Sequence, residues 1–182
     1  MHPNVPQSAQ RSVTVALVGN PNTGKSTLFS ALVGVRQHVG NYPGVTVERK
    51  AGRMMLDGRA LEVLDLPGLY SLSPRSRDEM VACEVLLGEH KGFDRADAVI
   101  CVADASNLER SLYLVSQVLE LGLPVVLAVN MLDVAEDQGI GANIAVLQQR
   151  LPVPVVGIQA NRRLGLEELK NALTNVLNSE GT

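Results

Sequence analysis

Gly19-Asn20-Pro21-Asn22-Thr23-Gly24-Lys25-Ser26 is the stretch whose reading decides the fold. It has the form G-x-x-x-x-G-K-[ST], the pattern of a phosphate-binding loop. The flanks suit one: Ser12 to Val18 is apolar and β-branched, a good buried strand, and Thr27 to Val33 fits a helix start. Glycines let the backbone bend around phosphates without a Cβ in the way. Backbone N–H groups and the helix N-terminus then face the anion. Lys25 supplies a point charge for the β and γ phosphates, and Ser26 Oγ is placed to ligate Mg²⁺. The expected nucleotide contacts here are Gly19, Asn20, Pro21, Asn22, Thr23, Gly24, Lys25, Ser26 and Thr27. A chance glycine-rich turn is the alternative, but Lys25 and Ser26 both stand in register.

The chain has 182 residues, 46% hydrophobic and 19% charged, which predicts a globular domain with a full-sized core. Aromatics make up 3%, so the core must be aliphatic. The net charge of −3 gives no general electrostatic case for nucleic-acid binding. Cys83 and Cys101 lack metal-ligand spacing, and Cys101 reads as a small buried hydrophobe. With no disulfide framework, a reducing compartment is expected. Residues 1–11 are polar and carry Pro3 and Pro6, so they read as a disordered lead and not a signal peptide. The domain is expected over residues 12–178, with 179–182 as a tail.

Strand and helix patterns then alternate. Strands are expected at Val13–Val18, Thr46–Leu56, Ala60–Leu64, Ala98–Ala103, Val125–Val129 and Val153–Ile158. Asp57-Gly58 is a hairpin turn signal. Helices are expected at Lys25–Val33, Asp78–Leu87, Leu108–Leu121 with Asn107 as its cap, Asn143–Arg150 and Leu166–Leu177. Val35–Val45 and Asp65–Arg77 read as loops. The pattern predicts an α/β three-layer fold, a mostly parallel six-stranded sheet with one antiparallel strand. Ligands of such sheets sit at the carboxyl ends of the strands, where the remaining motifs fall.

Asp65-Leu66-Pro67-Gly68 follows the third strand. An Asp opposite a phosphate loop holds Mg²⁺, directly or through water, and the Gly68 N–H suits a γ-phosphate. Asn130-Met131-Leu132-Asp133 follows the fifth strand and fits the guanine motif N-[KT]-x-D, with Met131 in place of the usual Lys. The Asp133 carboxylate accepts from guanine N1–H and the 2-amino group, whereas adenine would leave it unpaired. A helix N-cap is the plainer reading of Asp133. Thr46, in the loop with Gly44 and Val45, is the candidate to close on Mg²⁺ and the γ-phosphate, or else simply opens a strand. Ala160, between Gln159 and Asn161, is the candidate to direct its N–H at guanine O6. Arg75, Arg77, Arg162 and Arg163 read as solvated loop charges.

The runs G-N-P-N-T-G-K-S, N-Y-P-G-V-T-V-E, D-L-P-G-L-Y-S-L and N-M-L-D together resemble the G domain of the ferrous iron transport protein B family, as does Asp104 to Leu114. The likeness covers about Val13 to Leu177. It implies a Ras-like P-loop GTPase domain on the cytoplasmic face of a transporter in the bacterial inner membrane. It also implies a helical domain and transmembrane domains further along the full-length protein, with this piece soluble and an oligomer left open. GTP/GDP and Mg²⁺ are the implied ligands. The family lacks the catalytic glutamine of Ras, and Leu69 stands after D-x-x-G here, so slow intrinsic hydrolysis is expected. Several glutamine-lacking GTPases of this wider group use K⁺, held partly by a P-loop Asn. Asn22 matches that position, and backbone carbonyls of Asn41–Val45 would complete the shell. The expected catalytic set is therefore Lys25, Asn22, Thr46 and Gly68, with Ser26, Thr46 and Asp65 as Mg²⁺ ligands. Asn22 as a brace of its own loop is the alternative. Two other functions compete: an Era-like RNA-associated assembly GTPase, which needs a basic patch or RNA-binding module, and a nucleotide-responsive binding module with negligible hydrolysis.

Overall fold

The computed structural model describes residues 12–179. The expected lead and nearly all of the expected tail lie outside the described residues. Seven strands form one sheet: β1 Val13–Gly19, β2 Gln37–Asn41, β3 Glu48–Leu56, β4 Arg59–Asp65, β5 Ala98–Asp104, β6 Val125–Asn130 and β7 Val155–Gly157. Their spatial order is β2-β3-β4-β1-β5-β6-β7. β1 pairs in parallel with β4 and β5, β5 with β6, and β6 with β7. β3 is antiparallel to both its neighbours and alone runs against the rest. The sheet thus has the expected single reversed strand and one strand more than expected. The extra one is β2, inside the stretch read as a loop. Its residues are all exposed, so it has no apolar alternation to announce it, and pairing with β3 alone makes it a strand.

The helices are α1 Lys25–Val33, α2 Arg77–Leu87, α3 Leu108–Leu119, α4 Leu132–Asp137, α5 Ile144–Arg150 and α6 Leu166–Ser179. They cover both faces of the sheet. Leu28, Phe29 and Leu32 of α1 and Leu166, Leu169 and Leu173 of α6 pack on Val15, Leu17, Val63, Ile100 and Val126. Val81, Val85 and Leu86 of α2 and Leu114, Val115 and Val118 of α3 pack on Ala16, Val18, Leu64, Val99 and Leu127. Strand residues of alternating parity therefore feed opposite layers, as the period of two requires. The central strands β1, β5 and β6 are apolar but for Thr14, Asp104 and Asn130, because both faces are covered.

Local sequence explains the turns. Asp57 and Gly58 take φ of 47° and 76°, the left-handed pair that a tight hairpin needs. Asn107 does not cap α3 with its side chain. A single 3-10 turn, Ala105–Asn107, leads into that helix, and the Asp104 carboxylate accepts from Ser106 N–H at 2.8 Å. No helix among the described residues is long and apolar enough to cross a membrane.

Candidate functional site

The phosphate loop joins β1 to α1 at the carboxyl edge of the sheet. Lys25, the first residue of α1, and Ser26 both reach Asp65, the last residue of β4. Lys25 Nζ donates to Asp65 Oδ1, and Ser26 Oγ donates to Asp65 Oδ2 at 2.9 Å. The Asp65 side chain is 3% exposed, so its charge is held by partners and not by water. Lys25, Ser26 and Gly68 line a cleft of about 330 Å³ together with Asn20, Pro21, Asn22, Gly24 and Thr27. Asn22 is exposed and takes φ of 65°. The Ser26 hydroxyl that lines this cleft and the Asp65 carboxylate bonded behind it are hard oxygen donors, and they fit Mg²⁺.

Two buried asparagines brace the loop. Asn20 Nδ2 donates to Leu69 O at 2.9 Å, and Leu69 N–H donates to Gly19 O at 3.0 Å. These bonds draw the D-L-P-G loop against the phosphate loop, where a Cβ at Gly68 would stand 2.8 Å from Pro21 Cγ. Leu66 and Leu69 are fully buried, while Pro67 is half-buried. Leu69 is thus a packing residue with no route to the cleft. On the other side, Asn130 Nδ2 donates to Thr23 O at 3.0 Å, and Asn130 Oδ1 accepts from Ala160 N–H at 3.1 Å. The second bond links Ala160, the residue expected to face the base, to Asn130. Gln159 N–H pairs with Leu164 O at 3.1 Å, its Oε1 is buried without a hydrogen-bond partner, and Asn161 is exposed.

Met131 takes φ of 61°, rare for a residue with a side chain. Its Cε would lie 3.6 Å from a Cβ at Gly24, so the thioether end lies beside the phosphate loop. Asp133 is the second residue of α4, half-buried, and not its N-cap, which is Met131. The first loop is not drawn to the cleft. Thr46 is exposed, lies ahead of β3 and does not line the cleft. Gly44 has φ of 77°, and Val45 packs half-buried on the core.

Other groups have plain roles. Ser76 caps α2 by accepting from Glu79 N–H at 3.2 Å, and Glu79 Oε2 accepts from Arg75 N–H at 2.6 Å. Glu79 therefore holds the backbone at Arg75 just ahead of the helix. A larger cleft of about 940 Å³ lies between the second loop and α3, where the Arg110 guanidinium stacks over Tyr70 at 4.2 Å. It lacks the lysine-carboxylate-hydroxyl convergence of the smaller cleft, so size does not locate the chemistry. Burial pushes the Cys101 thiol up to about 12, which leaves it inert at neutral pH. Sequence reasoning missed Asn20 and Asn130 as braces. The available signal was a polar side chain at the end of an otherwise buried apolar strand, as the last residue of β6 for Asn130 and just past β1 for Asn20.

A family model described as ferrous iron transport protein B matches residues 13–173. The chain is 48% identical to the Fe(2+) transporter FeoB of Shigella flexneri over 167 residues, 90% of this chain and 21% of that protein. It thus spans about a fifth of the length of that relative. The G domain of the T. maritima FeoB iron transporter superposes with a TM-score of 0.81 at 44% identity, over 91% of this chain and 98% of that one. The T. maritima cytosolic domain in its GMPPNP form gives 0.82 at 44% identity, over 90% of this chain and 63% of that one.

Proposed function

The chain belongs to the ferrous iron transport protein B family, and from that premise we propose that it binds GTP and hydrolyses it slowly, so regulating ferrous iron uptake by an attached membrane transporter. The observation that carries this reading is a cleft lined by Lys25 and Ser26, both bonded to the buried Asp65 behind them, with the loop braced by Asn20 and Asn130. Residues 12–178 are the nucleotide-binding unit in this proposal, and the helical and transmembrane domains of the full-length protein are its partners. Lys25 neutralises phosphate charge, the backbone of Gly19 to Thr27 cradles the phosphates, and Gly68 offers its N–H to the γ-phosphate. Ser26, Asp65 and Thr46 hold Mg²⁺, which when bound neutralises charge developing on the β and γ oxygens. The base is read by Asp133, covered by Met131 and approached by the Gln159–Asn161 loop. Wild-type protein is expected to prefer GTP to ATP by about a hundredfold or more in a competition titration, the cost of leaving a carboxylate unpaired. Equal affinities would sink the guanine reading.

The burial of Leu69 favours one other reading, a nucleotide-responsive module with negligible turnover. Multiple-turnover phosphate release by highly purified protein separates the two. Catalysis without a glutamine needs another source of charge stabilisation. Asn22, exposed at the rim of the cleft, presents a hard neutral carbonyl suited to K⁺. Hydrolysis is expected to run about tenfold faster in K⁺ than in Na⁺ at equal ionic strength, one charge contact's worth of transition-state stabilisation. Asn22→Ala is expected to erase that difference while leaving GTP binding within about threefold. Equal rates in the two salts for the wild type would return Asn22 to bracing its loop.

A further inference from the structure

The loop that carries Thr46 is pinned at both ends. Tyr42 is 1% exposed and Val47 5% exposed, and Tyr42 N–H donates to Val47 O at 3.0 Å. Val45 N–H donates back to Tyr42 O at 3.2 Å. Between these two anchors Pro43, Gly44 and Thr46 are exposed, and nothing lies within 4 Å of where a Gly44 Cβ would be. The Tyr42 ring sits in a cluster built by the segment after α2. His90 meets it edge-on with centroids 5.6 Å apart, and Phe93 lies at 5.3 Å from Tyr42 and 6.0 Å from His90. Arg49 of β3 stacks on the outer side of Phe93 at 4.8 Å and pairs with Glu62 of β4 at 3.0 Å.

His90 is itself fixed twice by Glu84 of α2. Its N–H donates to Glu84 O at 3.2 Å, and its Nδ1 meets Glu84 Oε2 at 2.8 Å. The imidazole is buried, and its Nε2 has no hydrogen-bond partner; the same holds for Tyr42 Oη. Two unpartnered buried polar atoms in one small aromatic cluster carry a standing cost, so it is ring packing and the Glu84 bonds that hold His90 against Tyr42. Nothing in the proposed chemistry at the cleft uses either residue.

We propose that His90 is a positioning residue for the Thr46 loop: oriented by Glu84, it holds Tyr42 as a fixed hinge, so that only Pro43 to Thr46 swings between the folded-back arrangement and the cleft. The inference rests on the reading of Thr46 as the nucleotide-facing group. It confines the moving part to the tip beyond Tyr42. β2 stays paired with β3 throughout, and the loop returns Thr46 to one place on each closure.

The test compares wild type, His90→Ala and His90→Phe by amide hydrogen exchange without nucleotide, then by GDP titration and steady-state hydrolysis. His90→Ala is expected to raise exchange across residues 37–47 about tenfold, the size of one lost aromatic contact, with β1 and β5 unchanged. Its kcat is expected to fall about tenfold while GDP affinity stays within about threefold. His90→Phe keeps the ring against Tyr42 and is expected to recover both to within about threefold of wild type. Unaltered exchange at 37–47 in His90→Ala overturns the proposal. So does a parallel loss of GDP affinity with raised exchange throughout, which marks a merely structural residue, or a His90→Phe variant as impaired as the alanine. A wild type that binds no GTP defeats the proposed function instead, while the exchange data still decide whether His90 holds the hinge.

Discussion

Gly24→Ala is expected to weaken GTP binding by about 30-fold or more while leaving a folded protein. Gly24 is the N-cap of α1 at φ 80° and ψ 18°, a left-handed conformation that costs an L-residue roughly 1–2 kcal/mol. Space is the second objection. A Cβ there would overlap Asn130 Nδ2 and stand 3.6 Å from Met131 Cε. Asn130 is 4% exposed and cannot retreat without breaking its bonds to Thr23 O and Ala160 N–H. Each buried group so orphaned costs about 1–3 kcal/mol. Taken together, strain and one orphaned group come to roughly 2–5 kcal/mol, or about 30-fold to several thousandfold when the loss falls on the site. The comparison is Gly34→Ala, at φ 62° after α1 with nothing within 4 Å of the added methyl. It bears the strain alone, far from the cleft, and is expected to lower Tm by a few degrees with GTP affinity intact. Isothermal titration with GDP and GTP, run beside thermal melts, separates the two substitutions. GTP affinity within tenfold of wild type in Gly24→Ala would show that Asn130 does not brace the loop.

The phosphate loop and its strand–helix frame were legible because their rules are local. Glycine spacing, the apolar run of β1 and the lysine-serine pair all lie within Val13–Val33, and the structure keeps those boundaries to within a residue. Asp65 was legible for the same reason, as a charge ending an apolar strand. β2 was not, because a fully exposed edge strand has no buried face to write a period of two into its sequence. The helix α4 was missed for a related reason: it is one and a half turns of Leu132–Asp137, too short for a periodic signal. Long-range partners are the deeper limit. Asn130 stands 107 residues from Thr23, and Asn20 stands 49 from Leu69, yet each bond closes one wall of the cleft. A motif can say that such an asparagine belongs there, but only the sheet order places it against its acceptor. Ala160 shows the same limit from the other side. Its placement after the last strand was readable, while the acceptor that claims its N–H sits on another strand.

Asp133→Asn is expected to exchange the base preference of the protein outright. Asp133 follows Met131 at the carboxyl end of β6, in the first turn of α4, and is half-buried. Its carboxylate is an acceptor only, matched to the N1–H and 2-amino donors of guanine. An asparagine of the same shape turns one of those acceptors into a donor, which opposes the 2-amino group and suits the C2 oxygen of xanthine. Hydrogen bonds to a charged group contribute roughly 1.5–3 kcal/mol each, so losing the one to the 2-amino group weakens GTP by about 10- to 100-fold, before the clash of two facing donors is added. The fold is insulated from this change. Asp133 is not the side-chain cap of α4, and the brace to the phosphate loop runs through Asn130 instead. Tm should therefore stay within a few degrees of wild type, which makes the binding result interpretable by itself. Competition titrations with GTP, XTP and ATP check it: XTP should overtake GTP in the variant, with ATP poor in both proteins. A variant that still prefers GTP to XTP would remove Asp133 from the base site and leave the base to be read by the Gln159–Asn161 loop. In that case the unpartnered Gln159 Oε1 would become the first side chain to examine.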